Sequence, residues 1–137
     1  MASPISDLKQ LLASMEPILN PGVFVFTSLK DATAVDPEVV VAFIREAEGL
    51  SLVMREADAL QRNLPILFRA AWITLKVHSD LQAVGLTAAF SSALGDAGIS
   101  CNVVAGAYHD HIFVPLNSAE RAMSVLRALQ RESATGA

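Results

Sequence analysis

Ile73-Thr74-Leu75-Lys76-Val77-His78-Ser79-Asp80, continued by Ala83-Val84-Gly85-Leu86-Thr87-Ala88-Ala89-Phe90, decides the fold of this chain. Ile73, Leu75 and Val77 alternate with Thr74, Lys76 and His78, the period-2 pattern of a half-buried strand. Beyond Gly85, apolar residues recur at Leu86, Phe90, Ala93, Leu94 and Ala97, the spacing of a buried helix face. Between the two lies a short polar loop closed by a glycine, which lets backbone approach backbone or ligand because it has no Cβ. The first N–H groups of the helix that follows lack intrahelical partners and carry partial positive charge. A junction of this kind can receive a carboxylate.

Downstream, Gly98-Ile99-Ser100-Cys101-Asn102-Val103-Val104-Ala105 reads as a turn and a second strand, and Tyr108 to Leu116 as a third. Ser118 is placed to cap a last helix that buries Ala122, Val125, Leu126 and Leu129. The order β-α-β-β-α resembles that of ferredoxin-like ACT domains, small regulatory modules that bind amino acids. The stretches ITLKVHSDLQAVGLTAAF and GISCNVVAGAYHDHIFVPL, between Ile73 and Leu116, are similar to a family of small stand-alone proteins with duplicated ACT domains. The similarity is strong over about half of the chain and weak over the N-terminal half. That family brings no settled biochemical activity with it. The wider superfamily implies amino-acid sensing, and related tandem ACT units occur in the regulatory part of aspartate kinases and in cellular arginine sensors. The resemblance therefore implies an α+β, ferredoxin-like fold of two ACT-like halves with antiparallel sheets: a degenerate one over 1–68 and a complete one over 69–137.

Composition narrows the alternatives. At 137 residues, with 53% hydrophobic and 18% charged, the chain has ample material for a core and none of the signature of disorder. A net charge of −4 with scattered Lys and Arg argues against nucleic acid as a partner. The single cysteine, Cys101, excludes an internal disulfide and fits a reducing cytoplasm, where it reads as a small core residue. Neither a signal peptide nor an apolar run of ~20 residues is visible, so no membrane association is expected. The apolar content is high for this length, and a second subunit covering some of it is expected.

In the N-terminal half, Ser3-Pro4 reads as a helix start and Ile5, Leu8, Leu11, Leu12 and Met15 as its apolar stripe. Asn20-Pro21-Gly22 is expected to end that element and turn the chain. Val23 to Leu29 reads as a strand. Val39 to Glu46 and Leu50 to Arg55 read as two strands joined at Glu48-Gly49, with helix a live alternative for Val39–Ala47. Ala57 to Asn63 reads as a short helix. The C-terminal half has no fourth strand of its own. An early strand, Val23–Leu29, crossing over to complete the second sheet would interlock the halves.

Three histidines, His78, His109 and His111, are expected at one corner of the sheet. His-x-His on a strand is a usable metal half-site, but the stronger reading is that these rings hydrogen-bond backbone and position the junction, with no metal. Neither a nucleophile elbow nor a phosphate loop is present, and the carboxylates Glu46, Glu48 and Glu56 read as a solvated face. No catalytic group and no cofactor is expected. Carried over from ACT domains, the ligand would meet Ser79, Asp80, Val84, Gly85, Leu86 and Thr87 on one side and Asn102, Val103 and Val104 of a neighbouring unit on the other. The resemblance implies that backbone N–H groups at Gly85 and Leu86 take a carboxylate and Asp80 an ammonium group. Many ACT loops carry Asp-x-Pro-Gly; this chain has Ala83-Val84-Gly85. The expectation is thus a homodimeric protein that binds an amino acid without transforming it. A module regulating a partner enzyme without a ligand of its own and a small metal-dependent enzyme are the alternatives.

Overall fold

The computed structural model describes residues 7–31, 36–77 and 84–134. Ser3, Pro4, Ile5, His78, Ser79 and Asp80 lie outside the described residues. The elements are α1 (Leu8–Ser14), β1 (Glu16–Leu29), β2 (Val40–Glu46), β3 (Gly49–Arg55), α2 (Glu56–Gln61), β4 (Phe68–Lys76), α3 (Leu86–Asp96), β5 (Asn102–Ala105), β6 (Asp110–Pro115) and α4 (Ala119–Ala134). Val103 and Ile112 are both in strands; of Val39–Ala47, Val40–Glu46 forms a strand as the β-branched run predicts, while Val39 closes a short 3-10 turn, Pro37–Val39.

The strands form one sheet in the order β2-β3-β1-β4-β6-β5, every neighbouring pair antiparallel. Two strands serve two units each. β1 is the first strand of the N-terminal unit, pairing Phe24–Leu29 with Arg55–Leu50 of β3. It is also the fourth strand of the C-terminal unit, pairing Glu16–Asn20 with Lys76–Trp72 of β4. β4 returns the service through Phe68–Ala70, paired with Phe26–Phe24. The crossover expected from the strand count is present, but Val23–Leu29 supplies only part of it; most of the rungs come from Glu16–Asn20.

That difference corrects the reading of Asn20-Pro21-Gly22 as a turn. The strand continues through these residues, and the β1–β4 register shifts between Asn20 and Phe24. Proline lacks the N–H a ladder needs, and Gly22 adopts φ 113°, so the pair forms a bulge instead of a chain reversal. The first helix correspondingly stops at Ser14, with Asp7 capping it through a hydrogen bond from the Gln10 N–H at 2.9 Å. α4 runs on to Ala134, farther than the frayed tail expected from Ser133.

Alternation along the strands sorts the buried residues to the two faces of the sheet. Ala71, Ile73 and Leu75 of β4 and Ile112 and Val114 of β6 face α1, α3 and α4 and are buried against Leu11, Phe90, Leu94, Met123 and Leu126. Each of these side chains larger than alanine contributes about 1.5–3 kcal/mol on burial. On the opposite face Phe24, Ala70 and Phe113 are buried beneath Phe26, Phe68 and Trp72, with edge-on ring contacts at 5.2–5.6 Å. Val41 and Ala42 from one edge of the sheet and Val104 from the other pack on this same aromatic cluster. The sheet therefore curls until its two edge strands approach, leaving the helices on the convex side.

Candidate functional site

α3 begins at a glycine in a left-handed conformation. Gly85 is the N-cap, at φ 102°, and supplies no side-chain hydrogen bond to the first turn. Its carbonyl accepts the first helical bond, from Ala89 at 2.9 Å. Among the described residues no side chain caps the N–H groups of that first turn, the arrangement that favours an anion. Leu8 of α1 lies against the glycine: a Cβ there would meet Leu8 Cδ2 at 3.0 Å. Val84 is 84% exposed, Thr87 is exposed, and Leu86 is buried in the core with only its backbone on offer. Ser79 and Asp80 fall outside the described residues.

The residues expected to face this junction lie on β5. Asn102 pairs with Phe113, at the level of Trp72, whereas β4 reaches the junction beyond Leu75. Val103 packs on the helix-side core and Val104 on the aromatic cluster, so their side chains point to opposite faces.

Asp110 is a group that sequence reasoning passed over. It pairs with Leu75 on one side and Ala105 on the other, at the end of β4 from which the chain leaves toward α3. It is 8% exposed, in phase with Ile112 and Val114 on the helix-bearing face. Burial pushes its carboxyl above the ordinary aspartate range, opposed by neighbouring His111. The signal was available: a carboxylate in step with two core positions of a strand.

The histidines are held by protein partners. His109 Nδ1 lies 3.4 Å from the Val77 carbonyl, tying the β5–β6 connection to the end of β4. His111 Nδ1 accepts a hydrogen bond from Trp72 Nε1 at 3.1 Å and lies 3.1 Å from Thr74 Oγ1. Asn20 Nδ2 donates to Thr74 Oγ1 at 3.0 Å and to the Trp72 carbonyl at 3.2 Å. β1, β4 and β6 are so joined by polar contacts across the aromatic face. Burial, with His109 nearby, lowers the basicity of His111. Among the described residues no group of three His, Cys, Asp or Glu side chains is arranged to hold a metal. Cys101 packs on the helix-side core, where burial raises its thiol pKa. Among the described residues no helix is long and apolar enough to cross a membrane.

Shared-strand ferredoxin-like units, with a glycine-capped helix after the first strand of the second, define a tandem regulatory module. The chain belongs to the ACT-domain family: ACT-domain models match residues 3–71 and 68–128. It is similar to a Vibrio cholerae protein of unknown function, described as a possible transport protein. The two are 44% identical over 90% of this chain and 95% of that one, with a TM-score of 0.81. It shares its fold with a C-terminal regulatory domain of aspartate kinase from Porphyromonas gingivalis, at 13% identity over 85% and 96% of the chains and a TM-score of 0.59. The regulatory subunit of aspartate kinase from Thermus thermophilus also has this fold, at 9% identity over 85% and 98% and a TM-score of 0.56. Among curated proteins none matches the sequence.

Proposed function

We propose that this protein is a regulatory amino-acid binder that does not transform its ligand, and that the ligand sits where β4 leads into α3. The observation that supports this most is the start of α3, an eleven-residue helix whose glycine cap offers its first-turn N–H groups no side chain of its own. An α-carboxylate would be held there by oriented N–H dipoles. Asp110, and with it Asp80, would take the ammonium group, since a buried carboxylate gains most from a paired cation. Asn102, Val103 and Val104 would contribute from a second copy in a homodimer whose interface borders residues 79–87. No cofactor, metal or catalytic group enters this reading, and its setting is cytoplasmic.

A second reading is supported by the fold shared with a regulatory subunit of aspartate kinase: the module acts on a partner enzyme and takes no ligand itself. A thermal-shift screen against the twenty amino acids separates the two. A ligand at a hundredfold excess over its Kd stabilises the native state by about 2.7 kcal/mol, a rise of roughly 5–10 °C in Tm for a chain of this size. Asp110→Asn should keep the fold and lose that rise. A flat response to all twenty, or a rise indifferent to Asp110→Asn, counts against the junction as the site.

A further inference from the structure

A second cleft lies at the seam between the two units. The bulge in β1 takes Pro21, Gly22 and Val23 out of the β1–β4 pairing. Into this interruption reaches Arg55, the last residue of β3. Its guanidinium lies 5.2 Å from the centre of the Phe24 ring, and Nη1 donates to the Pro21 carbonyl at 3.5 Å. A Cβ on Gly22 would meet Nη1 at 2.8 Å, so the guanidinium is seated directly over that glycine. Bulges commonly re-aim a side chain beside a site. A cleft of about 360 Å3 opens beside Arg55, lined by Phe24, Glu38, Val41, Asp58 and Trp72 among others. That volume is at the small end of ligand pockets.

The chemistry of the walls selects the occupant. Arg55 is exposed and, among the described residues, forms no ion pair; Asp58 is 3.6 Å from Arg62. A guanidinium presents a planar fork of donors suited to a carboxylate. A simple anion entering the cleft would be repelled by Glu38 and Asp58, and a simple cation by Arg55. A molecule carrying both charges satisfies both sides. Between them the walls are apolar: Val41 and the indole of Trp72, whose Nε1–H is already engaged by His111 and so leaves carbon surface for the ligand.

We propose that this seam cleft binds a free α-amino acid with an apolar side chain, its carboxylate on Arg55 and its ammonium toward Glu38 and Asp58. The site is separate from the α3 junction and does not depend on it. Because β1 and β4 pass through both units at the cleft, its occupancy would bear on how the two units are held together.

Trp72 is the only tryptophan of the chain, so its fluorescence reports on the cleft directly. L-Leucine, L-valine, L-methionine and L-phenylalanine are titrated in turn, with isoamylamine and 4-methylpentanoate as the leucine analogues that lack one charge. At least one of the four amino acids should change Trp72 emission saturably, and neither analogue should. Arg55→Met keeps the aliphatic stem and removes the fork, and should weaken binding by about tenfold to hundredfold. Glu38→Lys, at an exposed position, should reject L-leucine and admit 4-methylpentanoate. Asp110→Asn should leave the Trp72 response unchanged, which separates this cleft from the junction. The proposal is overturned if none of the four amino acids gives a saturable response, or if Arg55→Met and Glu38→Lys both bind as the native protein does. A response lost in Asp110→Asn but kept in Arg55→Met would assign the ligand to the junction and overturn it equally.

Discussion

His111 and Asp110 are neighbours in sequence, face opposite sides of one sheet, and are displaced by burial in opposite senses. His111 titrates below its ordinary value of 6.5, because burial, with His109 beside it, disfavours its charged form. The unfolded chain therefore takes up the proton first. Stability contributed by neutral His111 is complete above pH 6.5 and declines as pH falls through that value, ceasing to fall once the folded histidine also protonates. Asp110 titrates above its ordinary 3.8, so the unfolded chain ionises first and the native state loses stability as pH rises from there. Two outcomes follow in urea unfolding. His111→Gln should show a shallower loss of stability than the native protein as pH drops through 6.5. Asp110→Asn should be more stable than native at neutral pH, with the difference closing below pH 3.8. Equal pH slopes for native protein and His111→Gln would show that the Trp72–His111 contact does not couple to the proton. The sequence displayed both residues, but only the alternation with Ile112 and Val114 hinted at which face each takes.

At the scale of elements, strands and helices were legible where a period ran uninterrupted: the β2–β3 hairpin, the short α2 and the β4–α3–β5–β6–α4 series follow the pattern of their apolar residues. The failure was at Pro21-Gly22, whose local chemistry signals a turn. Two partners, β3 and β4, hold the strand straight on either side, and the local preference yields to a bulge. Glycines divide in the same way between local and tertiary causes. Gly106, between β5 and β6, has the His109 carbonyl oxygen 2.9 Å from where its Cβ would stand and His111 Nε2 at 3.2 Å. Gly95, in the last turn of α3, has nothing within 4 Å. Gly106→Ala should therefore destabilise by about 1–3 kcal/mol through overpacking against backbone. Gly95→Ala should stabilise by about 0.5–1 kcal/mol by lowering the entropy of the unfolded chain. Denaturation midpoints of the two variants check this, and effects of the same sign would contradict the assignment.

At the scale of the whole molecule, neither unit closes its own sheet. The C-terminal core takes Leu11 and Met15 from the first helix region and its fourth strand from Glu16–Asn20. A fragment comprising 69–137 would lose Leu11 and Met15 from its helix-side core and leave the β4 edge unpaired. It should show little ordered structure alone and regain it on mixing with 1–68, followed by far-UV circular dichroism. A fragment 69–137 that unfolds cooperatively by itself would show the shared strands to be dispensable. The β2 edge carries Phe43 and Ile44, 52% and 62% exposed, and this apolar edge is compatible with a covering subunit.

The sequence by itself determined the order of most elements, their main buried faces and the family resemblance, because periodicity and turn chemistry are local and survive in a single chain. It determined Gly85 as the start of a helix after a strand. The tertiary structure decided which strands are shared, since pairing between residues more than forty positions apart depends on competition among edges that no local pattern records. It also decided that the chain passes straight through Pro21-Gly22, that Arg55 is seated over the resulting gap, and that Asp110 is buried while His111 faces Trp72. Those outcomes follow from the curl of one six-stranded sheet, which brings distant side chains into register only once every strand has found its neighbour.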